Sequence, residues 1–222
     1  MIDTLIRTAA AALVAAALAL APAPARAQTI NKVGGVTPVE ALTAQEREML
    51  ALGNEFAKRV TDTMDRWVAA REVTPERLFS FLYYPLANTD PPKFSTDYDK
   101  LSDREGPGGF VDIQEQIYNR SPSVIVYTVT VDKNGYLPTH NKRYSMPLTG
   151  NLGSDLVNNR TKRIFNDKTG LAAAQNAAPF LIQNYQRDTG ETMADLSVPI
   201  TIQGKHWGAV RIGYRRLETA AK

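Results

Sequence analysis

Residues 124–141 read VIVYTVTVDKNGYLPTHN, and this stretch decides the fold. Its first eight residues, 124–131, are β-branched or aromatic throughout, which is typical of a buried, pleated strand. An Asn-Gly pair, Asn134-Gly135, follows soon after, and it is a strong signal for a tight turn because both residues tolerate positive φ. The stretch therefore predicts a hairpin whose return strand runs from Tyr136 to His140.

A long helix is predicted before this hairpin. Thr43 and Glu46 have the spacing of a capping box, and behind them apolar residues recur every three or four positions as far as Trp67. The final part of the chain contains three further predicted strands, at about 180–186, 192–201 and 205–215. Together these patterns predict an α+β fold, with an antiparallel sheet of about five strands and the N-terminal helix packed on it.

The last two predicted strands also allow a prediction of their register. A three-residue loop at 202–204 with a glycine bulge places Leu196 opposite Val210, so that one face of the hairpin is entirely apolar. On the other face this register places Asp195 opposite Arg211. We interpret this pair either as a structural ion pair or as the charged floor of a polar site.

Three segments of the chain carry a family resemblance. They are DKNGYLPTHN at 132–141, NRTKRIFND at 159–167 and HWGAVRIGY at 206–214. In this order they resemble the periplasmic sensing region of a group of bacterial methyl-accepting chemotaxis proteins, and the hairpin resembles that of extracytoplasmic Cache (PAS-like) sensor domains. The resemblance covers roughly residues 43–216. It implies a PAS-like sheet with the long helix across its back, and a role in sensing a small molecule.

The first 27 residues are predicted to be a secretory signal peptide. A short charged region at Arg7 precedes an Ala/Leu-rich run at 8–21, which is too short to span a bilayer comfortably, and Ala25-Arg26-Ala27 matches a cleavage site. We expect cleavage after Ala27, a flexible leader at 28–42 and a single Cache-like sensor domain at 43–222. The mature protein is then periplasmic and does not span the membrane; an uncleaved anchor is the alternative.

Composition argues against several classes of function. The chain has no cysteine, so disulfides, thiol chemistry, cysteine-ligated zinc and covalent c-type haem are excluded. The formal net charge of +3 is too small to indicate a nucleic-acid partner. With only the histidines His140 and His206, no metal site is expected. No hydrolase, zinc-protease or phosphate-loop motif is present, so we predict neither an enzymatic activity nor a cofactor.

The candidate site is a polar and aromatic set around the sheet. Small-molecule pockets combine apolar walls with a few fixed donors, and Arg160 and Arg163 offer paired donors to a carboxylate. Both lie in the connection 142–178. This connection is too long for a simple crossover between neighbouring strands and has apolar residues to bury. We therefore expect it to pack over the sheet and close a pocket. The alternative for the arginines is solvent exposure or pairing with Asp155 and Asp167. The candidate ligand-binding residues are Tyr127, Tyr136, His140, Asn141, Tyr144, Arg160, Arg163, Tyr185, Trp207 and Arg211.

Three functions remain open from the sequence. The first is a soluble periplasmic sensor-type protein that binds a small organic ligand, with an anion favoured and a membrane receptor or kinase as a candidate partner. The second is a protein-interaction or assembly factor that uses the PAS-like sheet. The third is an enzyme of unknown type, which no residue pattern supports. A defined polar cavity would favour the first, and a filled core with an exposed apolar patch would favour the second.

Overall fold

The computed structural model describes residues 28–34, 39–186 and 192–217, with side chains described at 39–185 and 192–217. The predicted signal peptide therefore lies outside the described residues. The described strands are β1 (Gln28–Gly34), β2 (Tyr84–Pro85), β3 (Phe94–Ser95), β4 (Ile125–Asp132), β5 (Tyr136–Leu137), β6 (Arg163–Ile164), β7 (Leu181–Gln186), β8 (Thr192–Ile202) and β9 (Lys205–Arg215). The described helices are α1 (Ala44–Ala69), α2 (Pro75–Leu78), α3 (Asp99–Ser102), α4 (Val111–Tyr118), α5 (Leu152–Asn158) and α6 (Lys168–Ala174), with 3₁₀ turns at Val39–Ala41 and Lys142–Tyr144.

An antiparallel sheet forms the body of the molecule, in the order β7-β8-β9-β4. With the helices packed against it the fold is α+β, as predicted. Within the segment predicted as a leader, β1 pairs with the outer edge of β7. None of the helices in the described ranges is both long enough and hydrophobic enough to cross a lipid bilayer.

The predicted return strand of the first hairpin is wrong in its length and in its partner. It is reduced to β5, which pairs with β6 and not with β4. Residues of the segment 142–178 form its backbone hydrogen bonds instead. The Phe165 N–H donates to the Gly135 carbonyl at 2.8 Å, and the Lys162 N–H donates to the Leu137 carbonyl at 2.8 Å. Pro138, which lacks an N–H, follows directly and ends the strand. The sheet consequently contains four of the five predicted strands.

The turn after β4 has the predicted glycine conformation. Gly135 has a φ of +84°, and its N–H donates to the Asp132 carbonyl at 2.9 Å. The Asp132 side chain closes the same turn, because its Oδ1 accepts from the N–H groups of Asn134 (2.9 Å) and Tyr136 (3.0 Å). The carboxylate thus satisfies backbone donors that the missing strand pairing leaves behind.

Helix α1 covers one face of the sheet. Its capping box is present, since Thr43 Oγ1 accepts from the Glu46 N–H at 3.2 Å and the Glu46 carboxylate accepts from the Thr43 N–H at 2.9 Å. Its apolar stripe, which includes Phe56 and Val60, is buried in one core with Leu196 of β8 and residues of the same face of β9. The residues that alternate with these on the strands, such as Arg211, face the opposite side.

The last hairpin has a register different from the predicted one. Its loop has two residues, Gln203 and Gly204, which both have positive φ (49° and 75°), and this is the conformation of a tight two-residue hairpin loop. Leu196 therefore pairs with Ile212 instead of Val210. From Gly208 onward the shift is of two residues, so these side chains keep the predicted face.

A β-bulge in β9 separates this hairpin loop from the rest of the sheet. Thr201 pairs with His206 and Ile200 pairs with Gly208, so Trp207 is the extra residue. The bulge turns the Trp207 side chain into the core under α1, where its Nε1 donates to the Leu78 carbonyl at 3.1 Å. His206 lies on the other side, with its Nε2 3.0 Å from the Ala174 carbonyl of α6.

Candidate functional site

A cavity of about 470 Å³ lies between the sheet and the segment 142–178, on the face opposite α1. The sheet provides its floor, with Tyr127 and Val129 of β4, Tyr185 of β7, Met193 of β8 and Arg211 of β9. The segment covers this floor with side chains that include Tyr144, Val157, Arg160, Arg163, Phe165 and Thr169. The size lies within the range of small-molecule sites, and the lining mixes apolar walls with a few polar groups.

Most of the predicted site residues lie around this cavity. The predicted residues that line it are Tyr127, His140, Tyr144, Arg160, Arg163, Tyr185 and Arg211. The structure places Tyr136, Asn141 and Trp207 elsewhere. The bulge at Trp207 accounts for the last of these.

Tyr136 and Asn141 have structural roles. The Tyr136 hydroxyl donates to Asp99 Oδ2 at 2.8 Å, and its ring packs in the core under α1. The Asn141 side chain stands in for a strand partner, because its Oδ1 accepts from the Thr128 N–H at 2.7 Å and its Nδ2 donates to Glu115 at 3.2 Å. An amide that completes the backbone hydrogen bonds of a strand edge is not available to a ligand.

Two arginines form the basic end of the cavity. The guanidinium groups of Arg160 and Arg163 lie 5.1 Å and 5.0 Å from the ring centre of Phe165, which holds both by cation–π contacts. Arg163 Nη1 also donates to the Leu156 carbonyl at 3.2 Å. The sequence offered no signal that the Phe165 ring lies beside both arginines.

Arg163 has no ion-pair partner within the part of the chain that the structure describes. Burial, and then the positive charge of Arg160, lower the pKa of Arg163 to about 10. The acids considered as partners bind elsewhere: Asp155 accepts from Thr149 and Gly150, and Asp167 caps α6. Asp167 also lines the cavity, but its carboxylate caps α6 and forms no ion pair with Arg163, whose guanidinium is half-buried there.

Three rings form an aromatic wall beside the basic end. The imidazole of His140 makes edge contacts with Tyr144 and Tyr127, at ring-centre distances of 4.7 Å and 6.1 Å. The Tyr127 ring lies directly over Gly213 of β9, where an added Cβ would come within 2.1 Å of the ring. Because residue 213 is a glycine, the Tyr127 ring can pack directly against the backbone of β9.

His140 presents a fixed hydrogen-bond donor. Its Nδ1 accepts from the Asn141 N–H at 2.8 Å, so the neutral ring carries its proton on Nε2. Burial lowers the pKa of His140 well below its ordinary value, and Arg160 and Arg211 add to this effect. The imidazole is therefore neutral at physiological pH.

The predicted pair Asp195–Arg211 is present on the cavity floor as a diagonal pair. Arg211 donates from Nε to Asp195 Oδ2 at 3.1 Å and from Nη2 to the same oxygen at 2.5 Å. Burial opposes the charge on Arg211, and the Asp195 carboxylate overcomes this and raises the pKa of Arg211. Because the two charges are paired, this end of the cavity is polar without an excess of charge.

The described residues contain no group of three His, Cys, Asp or Glu side chains placed to hold a metal ion. Comparison with known proteins adds no family: no protein-family model matches the chain, no curated protein matches it, and no solved structure matches it. The resemblance to Cache sensing domains therefore stays a prediction.

Proposed function

We propose that this chain binds a small organic anion in the cavity between the sheet and the segment 142–178. The observation that carries the proposal is Arg163, a half-buried guanidinium at the cavity without an ion pair among the described residues. A guanidinium that burial has partly removed from water is left without a counter-charge, so a carboxylate or a similar group from a ligand would stabilise it. An arginine offers such a group two parallel N–H donors.

The surroundings of Arg163 support a ligand with an apolar body as well as an anionic group. Val129, Met193 and Leu137 provide aliphatic contacts, and the aromatic wall provides ring contacts. His140 adds a neutral N–H donor. A cavity of about 470 Å³ is much larger than acetate or phosphate needs, and it suits an organic acid of moderate size.

We further propose that the protein acts as a sensor-type binding protein of the Cache, PAS-like kind, without catalysis. The resemblance of the three sequence segments supports this role, and so does the long helix across the back of an antiparallel sheet. In this proposal the signal peptide directs the chain to the periplasm, and the bound state is passed to a membrane receptor or kinase. Mass spectrometry of the periplasmic fraction tests the export step, because a mature chain is expected to start at Gln28.

Binding is tested by thermal shift followed by calorimetry. The screen uses benzoate, other small carboxylates, amino acids and free haem, because a ligand at 100 times its Kd adds about 2.7 kcal/mol of stability. The expected result is a shift with one or more organic anions that Arg163→Gln abolishes. Arg77→Gln, the same change at an exposed arginine of α2, is the matched control and is expected to bind as the wild type does. Equal binding by Arg163→Gln and the wild type would overturn the proposal.

One observation favours protein interaction as a second candidate function. Leu82, Tyr84 and Leu86 are all exposed, by 54%, 46% and 39%. They lie at and next to the two-residue strand β2. An exposed apolar strip of this kind is a candidate contact for another protein. If protein interaction is the function, replacing all three with serine is expected to abolish binding of the partner protein and to leave anion binding unchanged.

A further inference from the structure

Lys93 is a buried lysine that lies behind the basic end of the cavity. It directly precedes β3, and only 5% of its surface is exposed. Its Nζ donates to Asn159 Oδ1 and, at 2.5 Å, to the Thr161 carbonyl. Both acceptors are neutral, and the described part of the chain supplies no ion pair to this ammonium. Burying a charge against neutral acceptors is costly, so its retention calls for an explanation.

The two acceptors of Lys93 flank Arg160 in the chain. Asn159 is held a second time, because its Nδ2 donates to the Met146 carbonyl at 2.6 Å. Arg160 is fixed between them by its own N–H, which donates to the Tyr144 carbonyl at 2.7 Å. A single ammonium thus binds the turn 159–163 on both sides of Arg160, and this turn carries the two cavity arginines.

We propose that Lys93 is the positioning residue of the anion site: it holds the turn 159–163 in its binding arrangement and adds a positive charge behind it. This inference rests on the proposed function for its effect on binding. The position of the turn does not depend on that function. Lys93 acts through Asn159 and Thr161, and it is not itself part of the cavity lining.

The charges around Lys93 determine how the site responds to pH. Burial, and then Arg163 and Lys162, lower the pKa of Lys93 to about 8, while Asp155 opposes them. Lys162 is itself balanced by Asp99 at 3.1 Å and by Asp103 at 2.7 Å. Lys93 therefore loses its proton at a lower pH than Arg163 does. Anion affinity is expected to be constant below this pKa and to fall as pH rises through it, since one positive charge behind the site disappears.

Hydrogen exchange tests the positioning role without a ligand. Lys93→Met keeps the length of the side chain and removes its donors, and Lys100→Met makes the same change at an exposed lysine of α3. In Lys93→Met, protection is expected to fall in the peptide that covers 159–163 and to stay unchanged in β8 and β9. Unchanged exchange in 159–163 would overturn the proposal, and so would an equal loss of protection throughout the sheet.

Calorimetry with benzoate between about pH 6.5 and pH 9.5 tests the effect on binding. At about pH 7 we expect the association constant of Lys93→Met to fall about tenfold and its pH step to disappear. Asn159→Asp gives Lys93 a carboxylate acceptor, so the step is expected to move to higher pH, which a merely structural lysine would not cause. If Lys93→Met keeps the step, the proposal fails. If the wild type does not bind benzoate, the proposed function fails for this probe, and the exchange experiment still decides the role of Lys93.

Discussion

Two charged groups, the buried Asp132 at the end of β4 and the half-buried Arg163 in β6, are held in different ways. Both oxygens of Asp132 accept hydrogen bonds: Oδ1 from two backbone N–H groups, and Oδ2 from the hydroxyls of Tyr83 at 2.7 Å and Tyr98 at 3.3 Å. Arg163 donates to one carbonyl and stacks on one ring.

The difference separates a charge that the fold satisfies with hydrogen bonds from a charge that it leaves without an ion pair. Asp132 is surrounded by donors and does not line this cavity, so it completes the fold. Arg163 lines a cavity of about 470 Å³ and forms no ion pair among the described residues, and in the proposed function a ligand supplies its partner. The predictions below test this contrast, from the largest expected effect on stability to the smallest.

Asp132→Ala is expected to have the largest effect, a loss of about 3 kcal/mol in the free energy of unfolding. The change leaves the Tyr98 hydroxyl and the Tyr136 N–H buried without their acceptor. Urea denaturation measures the loss. Asp97→Ala, at the exposed aspartate that directly precedes Tyr98, is the control and is expected to be nearly silent. Similar effects from the two changes would contradict a structural role for Asp132.

Gly135→Ala is expected to cost about 2 kcal/mol, because its backbone has positive φ and an added Cβ would lie 2.3 Å from the Phe165 carbonyl oxygen. This contact joins the two regions, since Phe165 is the ring that holds both arginines. Gly204→Ala is the matched control, with a similar φ of +75° and nothing within 4 Å of the new atom. It should cost less than about 1 kcal/mol. Equal melting temperatures for the two variants would show that the close contact is not rigid.

The pH dependence of stability should differ between the wild type and Asp132→Asn by about 1 to 2 kcal/mol. Burial raises the pKa of Asp132 to about 6, although hydrogen bonds from Tyr83 and from the backbone oppose this. A folded state that holds the proton more tightly is favoured at low pH. Relative to Asp132→Asn, the wild type should thus lose stability as pH rises from about 4 to about 6, and not above that range. Denaturation series at several pH values check the sign, and a constant difference between the proteins would refute it.

Arg163→Gln is expected to have the smallest effect on the fold, within about 0.5 kcal/mol of the wild type. It removes a charge that burial and Arg160 already disfavour, and it breaks no ion pair among the described residues. Thermal unfolding without ligand measures this change. A loss as large as that of Asp132→Ala would mean that Arg163 is structural, and the contrast between the two charges would disappear.

The sequence predicted the parts of this site that follow from strand alternation and from segment length. Tyr127 and Arg211 lie on one face of the sheet because side chains alternate, and the shift of two residues in register did not disturb this. Arg160 and Arg163 lie over that face because a long segment with apolar residues had to pack on something.

Other parts depend on contacts that no local pattern records. Trp207 was predicted at the site, and one extra residue in β9 turned it to the other face. Tyr136 and Asn141 were misplaced because a short segment far along the chain, β6, captured the return strand. Lys93 was missed altogether, since its burial depends on a turn that lies more than sixty residues later in the chain.

The bulge at Trp207 has a practical consequence for following the ligand by optical methods. The chain has two tryptophans, and both Trp67 and Trp207 lie in the core under α1, away from the cavity. Their emission reports on unfolding and is expected to stay silent when the cavity fills. Phe165→Trp would place an indole beside the arginines, where its fluorescence could be quenched or shifted by an incoming anion. The protein thus already carries a reporter of its fold, and it lacks a reporter of its ligand.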